Sequence, residues 1–234
     1  MLRRTQILLF YFLPISLVTG PFLPDLSINI ISIIFLIFCY KNKDWSFFAK
    51  SYSIFFFIWC FYLTIRSLTS TNPMLSLESS LFYFRFGIFA LAIAELLINQ
   101  NFKILKFFSY ILIVTFFIVL SDAFLQYVTG FNSLGYSYDQ NRLSGFFGDE
   151  KKLGSYLVRL LPILFALVAL YHKSSKSMFA FCMLMLVSTD ILIYLSGERV
   201  AFFFLILFSI SVLALVRNWK MMRLITFIVS ISCI

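Results

Sequence analysis

Long apolar runs separated by short polar breaks repeat along the chain, near residues 6–20, 26–40, 52–68, 79–98, 105–128, 153–171, 178–196, 200–216 and 223–234. Most are roughly 16 to 24 residues long, the length at which a helix rising 1.5 Å per residue crosses hydrocarbon. None alternates polar and apolar positions as a barrel strand does, and lipid cannot satisfy open backbone groups, so every run is expected to be helical. The pattern predicts an all-α polytopic membrane protein with about eight complete transmembrane helices and a truncated ninth. That ninth run has about 12 residues and rises only ~18 Å against a core of roughly 30 Å. The expectation is therefore a single transmembrane domain over residues 1–234, the front portion of a longer protein, with its main outer loop near 129–152. The start, Met1-Leu-Arg-Arg-Thr-Gln6, resembles a signal peptide, but no small-residue cleavage site follows. Pro21, Pro24 and Asp25 lead straight into the next apolar run, so the first run is read as a retained helix.

Composition agrees. Hydrophobic residues make up 62% of the chain, with 32 Phe and 12 Tyr, more apolar surface than one soluble core of this length would bury. The excess of 19 Lys and Arg over 10 Asp and Glu does not point to nucleic acid, because the basic residues lie in short loops between spans. Cys39, Cys60, Cys182 and Cys233 all fall in apolar runs and show neither a disulfide framework nor a zinc spacing. With the N-terminus placed in the cytoplasm, twelve Lys and Arg, among them Arg3, Lys103, Lys173, Arg217 and Arg223, lie in inner segments. Five lie outside, namely Arg66, Arg142, Lys151, Lys152 and Arg199. This is the bias of the positive-inside rule.

Against that apolar background the segment Arg142–Arg159 stands out, with six charged residues in eighteen. A shorter cluster, Ser196-Gly-Glu-Arg199, interrupts a later pair of runs. The layout puts both on the outer face. Arg142 and Arg199 suit an anion clamp, since a guanidinium is always charged and its planar fork holds two phosphate oxygens; ordinary anchoring to headgroups is the plainer alternative. Arg199 also follows Gly197 at a helix start, where free N–H groups favour anions. Lys152 and Lys151 are weaker candidates because interfacial lysines snorkel, and Asp149 and Glu150 suit the dipole of the helix that follows. The stretch Gly130–Gly148 holds four of the eight glycines together with Tyr136 and Tyr138, a composition that can bend around a ligand and stack rings on sugars, or serve as a plain connector.

Four ionisable residues, Arg85, Asp122, Arg159 and Asp190, fall inside predicted spans about six residues, roughly 9 Å, from the outer end. Unpaired in hydrocarbon each would cost at least ~2.5 kcal/mol, so they are expected to face inward, as ion pairs that hold helices together or as the floor of an outer cavity. His172 is the only histidine; it sits at the inner end of its span beside Lys173, away from both clusters, and is read as a loop residue. No glycine-rich phosphate loop, Ser/His/Asp set or metal-ligand spacing occurs.

At these residues the chain resembles the O-antigen ligase and O-antigen polymerase family of bacterial inner-membrane proteins. The likeness rests on Arg142-Leu-Ser-Gly-Phe-Phe-Gly-Asp-Glu150, on Leu153-Gly-Ser-Tyr-Leu157 with Pro162, on Leu195-Ser-Gly-Glu-Arg199-Val-Ala201, and on Gly20-Pro-Phe-Leu-Pro-Asp25. The resemblance implies a metal-independent, cofactor-free glycosyltransferase using an undecaprenyl-pyrophosphate-linked oligosaccharide donor on the periplasmic side. The acceptor would be lipid A core for a ligase or a second lipid-linked glycan for a polymerase. Arg142 and Arg199 match the family arginines expected at the pyrophosphate, with Arg85, Arg159, Lys152, Glu198, Asp122 and Asp190 as further substrate-binding candidates. The family's proposed catalytic histidine lies on a large late periplasmic loop, expected here beyond Ile234, so the 234-residue chain by itself is expected to be inactive. A transporter or flippase for lipid-linked sugars is the alternative, expected to carry midplane charges and paired broken helices; a non-enzymatic scaffold is a third.

Overall fold

The computed structural model describes residues 1–138, 142–171 and 176–233. His172 and Lys173 lie outside the described residues. The helices in chain order are α1 (Leu2–Ser16), α2 (Phe22–Asn42), α3 (Ser51–Leu68), α4 (Pro73–Ser80), α5 (Phe84–Asn99), α6 (Ile104–Thr129), α7 (Leu153–Tyr171), α8 (Lys176–Leu195), α9 (Arg199–Leu215) and α10 (Lys220–Cys233). A 3-10 turn spans Gly145–Glu150, and an isolated antiparallel bridge joins Phe131 and Ser137. The protein is thus an all-α polytopic membrane protein.

Six helical stretches are long and apolar enough to cross a bilayer among the described residues, α4 and α5 counting together as Pro73–Asn99. That is fewer than the eight expected. The shortfall comes from α1 at 15 residues and α9 at 17, while α10 at 14 is the run expected to be incomplete. At 1.5 Å per residue these rise roughly 20 to 25 Å, short of the ~30 Å core. The large apolar side chains left exposed, such as Phe55, Ile58 and Phe61 on α3, face lipid rather than water.

The chain divides into two compact units, one of residues 1–16 and 21–104 and the other of residues 17–20 and 105–234. In the first, Ile31, Phe35 and Cys39 of α2 pack on Leu91 and Ala92 of α5. Gly87 lets α5 approach α3, because a Cβ there would collide with the Phe56 ring. Arg3 of α1 forks onto Glu95 of α5 with two bonds of 2.6 Å, Gln6 accepts from the same guanidinium at 3.1 Å, and Asn99 donates to Glu95. Arg85 pairs with Asp25 at 2.9 Å.

In the second unit α7 is the central helix, with more than half of its span buried. Leu153, Leu157 and Leu161 supply its inner stripe at helical spacing and are fully enclosed, as are Leu192 and Ile193 of α8. The loop between α6 and α7, the end of α8 and the start of α9 all meet at one end of this bundle, as the contacts described next establish.

Candidate functional site

Three segments converge at that end. The N–H of Leu143 donates to the carbonyl of Leu195 at 3.3 Å, tying the residue after Arg142 to the last turn of α8. Across the turn that leaves α8, the Glu198 carboxylate accepts from the N–H of Gly154 at 2.7 Å and of Ser155 at 3.1 Å, and from the Ser155 hydroxyl. Free N–H groups and the dipole make a helix start attractive to an anion, and here the protein supplies its own. Glu198 is therefore the cap of α7, its carboxylate already bonded within the protein. It also takes the role expected of Asp149 and Glu150; those lie in the preceding 3-10 turn, and Glu150 pairs with Lys152 at 2.9 Å.

The fit at this joint explains its glycine. A Cβ on Gly154 would collide with Ser196 Oγ and stand 3.1 Å from both Ala201 Cβ and Glu198 Oε1. The Leu-Gly-Ser and Ser-Gly-Glu-Arg blocks are thus halves of one contact. With its carboxylate spent on α7, Glu198 leaves α9 without a side-chain cap. Arg199, the first residue of α9, is exposed.

The loop after α6 is organised from below by that helix. Asp122 Oδ1 accepts from the N–H of Ser133 at 2.9 Å and its hydroxyl at 2.5 Å, and Asn132 Nδ2 donates to Oδ2 at 3.4 Å. One turn on, the buried Gln126 accepts from the N–H groups of Ser144 (3.1 Å) and Gly145 (2.7 Å) and donates to Tyr136 O and Ser144 Oγ, each at 3.2 Å. Asn132 completes the set, donating to Gly145 O at 2.8 Å and accepting from the N–H of Tyr136 at 2.8 Å. Gln126 and Asn132 carry no charge and so do not stand out in the charge pattern of the sequence. The signal was present, since Gln126 follows Asp122 by four and shares its helix face.

Among the glycines of this loop, Gly148 serves its packing, whereas a Cβ at Gly130 or Gly135 would meet nothing. Gly148, at φ 51° and ψ −125°, lies against the Tyr136 ring, whose carbons would stand 2.8 Å from a Cβ. Tyr138 meets Tyr127 edge-on at 6.1 Å. The expected bend therefore wraps around Tyr136.

The four in-span charges do not form one mutually paired layer. Arg85 pairs with Asp25, and Asp122 holds the loop. Asp190 is bound by Arg223, a residue the charge count had assigned to an inner loop. Arg223 lies fully buried in α10, donating to Asp190 Oδ2 at 2.8 Å and Oδ1 at 3.1 Å and to Ser209 Oγ at 2.7 Å. Ser230 adds a bond to Asp190 at 2.9 Å. Local pattern could not reveal this, because Arg223 and Asp190 are 33 residues apart and their meeting depends on how α8, α9 and α10 pack.

Exposed charges remain at this end, among them Asp149, which makes no ion pair among the described residues. Arg142, Arg159 and Arg199 are exposed and make no ion pair among the described residues, while Lys152 is exposed and shared with Glu150. Among the described residues no three His, Cys, Asp or Glu side chains gather as a metal site would need. Cys39, Cys60 and Cys182 are buried free thiols within the bundles, and Cys233 is exposed. No family model matches the chain, and neither a curated protein nor a solved structure does.

Proposed function

We propose that the chain is a glycosyltransferase-type membrane protein of the O-antigen ligase or polymerase kind, binding an undecaprenyl-pyrophosphate-linked glycan at the periplasmic face of a bacterial inner membrane. The observation that carries this reading is the pair of exposed arginines, Arg142 and Arg199, which make no ion pair among the described residues and lie on two segments bonded to the same end of one bundle. A lipid diphosphate presents its charge where such segments would meet it, and two guanidinium groups supply several charge-assisted bonds. In transfer, the acceptor hydroxyl oxygen bonds the anomeric carbon as the carbon–oxygen bond to the diphosphate breaks, and the hydroxyl proton passes to the departing diphosphate or to water. The electron pair leaves on the diphosphate, where Arg142 and Arg199 stabilise it. The acceptor is lipid A core or a second lipid-linked glycan.

The transporter reading draws on one observation, the buried Asp190–Arg223 pair beside a cavity of about 220 Å³. Buried ionisable groups can serve coupling. Here the carboxylate is already held by a forked guanidinium and Ser230, an arrangement suited to locking helices together.

The test is genetic. In a bacterium that carries this gene and displays a surface glycan, Arg142→Lys and Arg199→Lys each lower the glycan by about tenfold or more, because lysine keeps charge but loses the fork. Full glycan in both variants rules out the clamp. Glycan that survives deletion of the gene rules out the transferase.

A further inference from the structure

The start of α7 is capped from a distance. Lys152 holds the cap position, since its carbonyl accepts from the N–H of Tyr156 at 3.0 Å, but a lysine side chain has no acceptor to offer the open N–H groups that follow it. Those of Gly154 and Ser155, the second and third residues of the helix, go instead to Glu198, 44 and 43 residues further along the chain. Glu198 in turn holds the cap position of α9, its carbonyl accepting from the N–H of Phe202 at 3.0 Å, yet its side chain makes no bond to the start of that helix. One carboxylate is thus withdrawn from its own helix to join two helix starts. A local cap on each would serve either helix alone; the long-range bond adds a fixed separation between them. The neighbouring packing agrees, because Gly154 leaves just enough room for Ser196 and Ala201 to close on it.

Resting on the function proposed above, we infer that Glu198 is a positioning residue for glycan transfer: it acts through Arg199, fixing the backbone from which that guanidinium reaches the departing diphosphate, with Ser155 as its anchor on α7. Arg199 is the residue that follows Glu198 directly. Before it the chain turns at Gly197, with φ 66°, and the only side-chain bond to the backbone there is from the Glu198 N–H to Ser196 Oγ at 3.4 Å. The three bonds from Glu198 to α7 are what tie this turn to another helix. Arg142 is referred to the same place, because the next residue, Leu143, donates to the carbonyl of Leu195 at the end of α8. A guanidinium on a long stem stabilises a leaving charge only where its base is held, and a displacement of about 1 Å can cost on the order of a hundredfold in rate. With three bonds already accepted from the start of α7, the carboxylate serves as a brace and not as a proton acceptor.

The test is a double-variant cycle in the bacterium of the genetic test above, with surface glycan normalised to the amount of the protein in the membrane and melting in detergent read in parallel. Glu198→Ala lowers the normalised glycan about tenfold in the native background, and less than about threefold where Arg199→Lys is already present, because a point charge without a fork asks less of its base. The drop in melting temperature is the same in both backgrounds. Glu198→Gln, which keeps the reach and one acceptor oxygen, returns most of the glycan; a loss as deep as that of Glu198→Ala would mark the carboxylate as a proton acceptor and overturn the positioning role. Glu198→Asp, one methylene short of α7, behaves as Glu198→Ala and carries the cycle if the alanine variant fails to accumulate. Equal falls in both backgrounds show that Glu198 only supports the fold, and so does full glycan in Glu198→Ala; either result overturns the inference and leaves the clamp standing. Full glycan in Arg199→Lys removes the clamp itself, and the positioning role with it.

Discussion

At the scale of single residues, the outer end of the second unit is held by a few side chains that each satisfy backbone at a distance. Glu198 carries the most, because it binds the start of α7 while lying at the start of α9. Glu198→Ala removes charge-assisted bonds to two N–H groups and a hydroxyl, and should cost about 3 kcal/mol, read as a lower melting temperature of the chain in detergent. Gly154→Ala is expected to destabilise by about 1 to 3 kcal/mol through overpacking. Adding Ser196→Ala should return part of that loss, since Ser196 Oγ is the first atom in the way. Identical melting of Gly154→Ala and the double variant would mean that the two positions are not in contact. Gln126→Ala leaves the N–H groups of Ser144 and Gly145 without the acceptor they share. Faster proteolytic cleavage in the 130–152 loop, with little change in the helices, is the expected reading.

At the scale of elements, the lock between α8, α9 and α10 is the Asp190–Arg223 pair with Ser209 and Ser230. Breaking one side leaves a buried charge alone, so Asp190→Ala should cost about 3 to 5 kcal/mol. Replacing both members with leucine should cost far less, because desolvating the pair already consumes much of its attraction. Thermal unfolding of the three variants in one detergent decides the matter; equal losses in the single and double replacements would show that the residues act independently.

For the molecule as a whole, the helices outline a polytopic protein, with Arg142 and Arg199 exposed on segments of the second unit. Because α6 is 26 residues long and apolar, Lys103 just before it and the loop just after it should lie on opposite sides of the membrane. Single cysteines at 103, 142 and 199, in a background with Cys233 replaced by serine, test this with a membrane-impermeant maleimide. Positions 142 and 199 should react from the same side and 103 only from the other. Reaction of 142 and 199 from opposite sides would separate the two arginines and end the clamp proposal.

The helical class and most helix positions were legible in the sequence because they follow from local chemistry: a backbone in hydrocarbon must bond within its own segment, so apolar run length alone predicts a helix. The two charged clusters were legible for the same reason, standing out against a 12% charged chain. Partner choice was not. Only packing decided that Asp190 meets Arg223 rather than another in-span charge, that Glu198 caps α7 instead of awaiting a ligand, and that Gly148 makes room for Tyr136. Each of these joins residues from separate segments, and such a meeting depends on how whole helices and loops settle against one another. Local spacing carries a residue's chemistry and its depth, whereas the identity of its neighbour is a property of the assembled bundle.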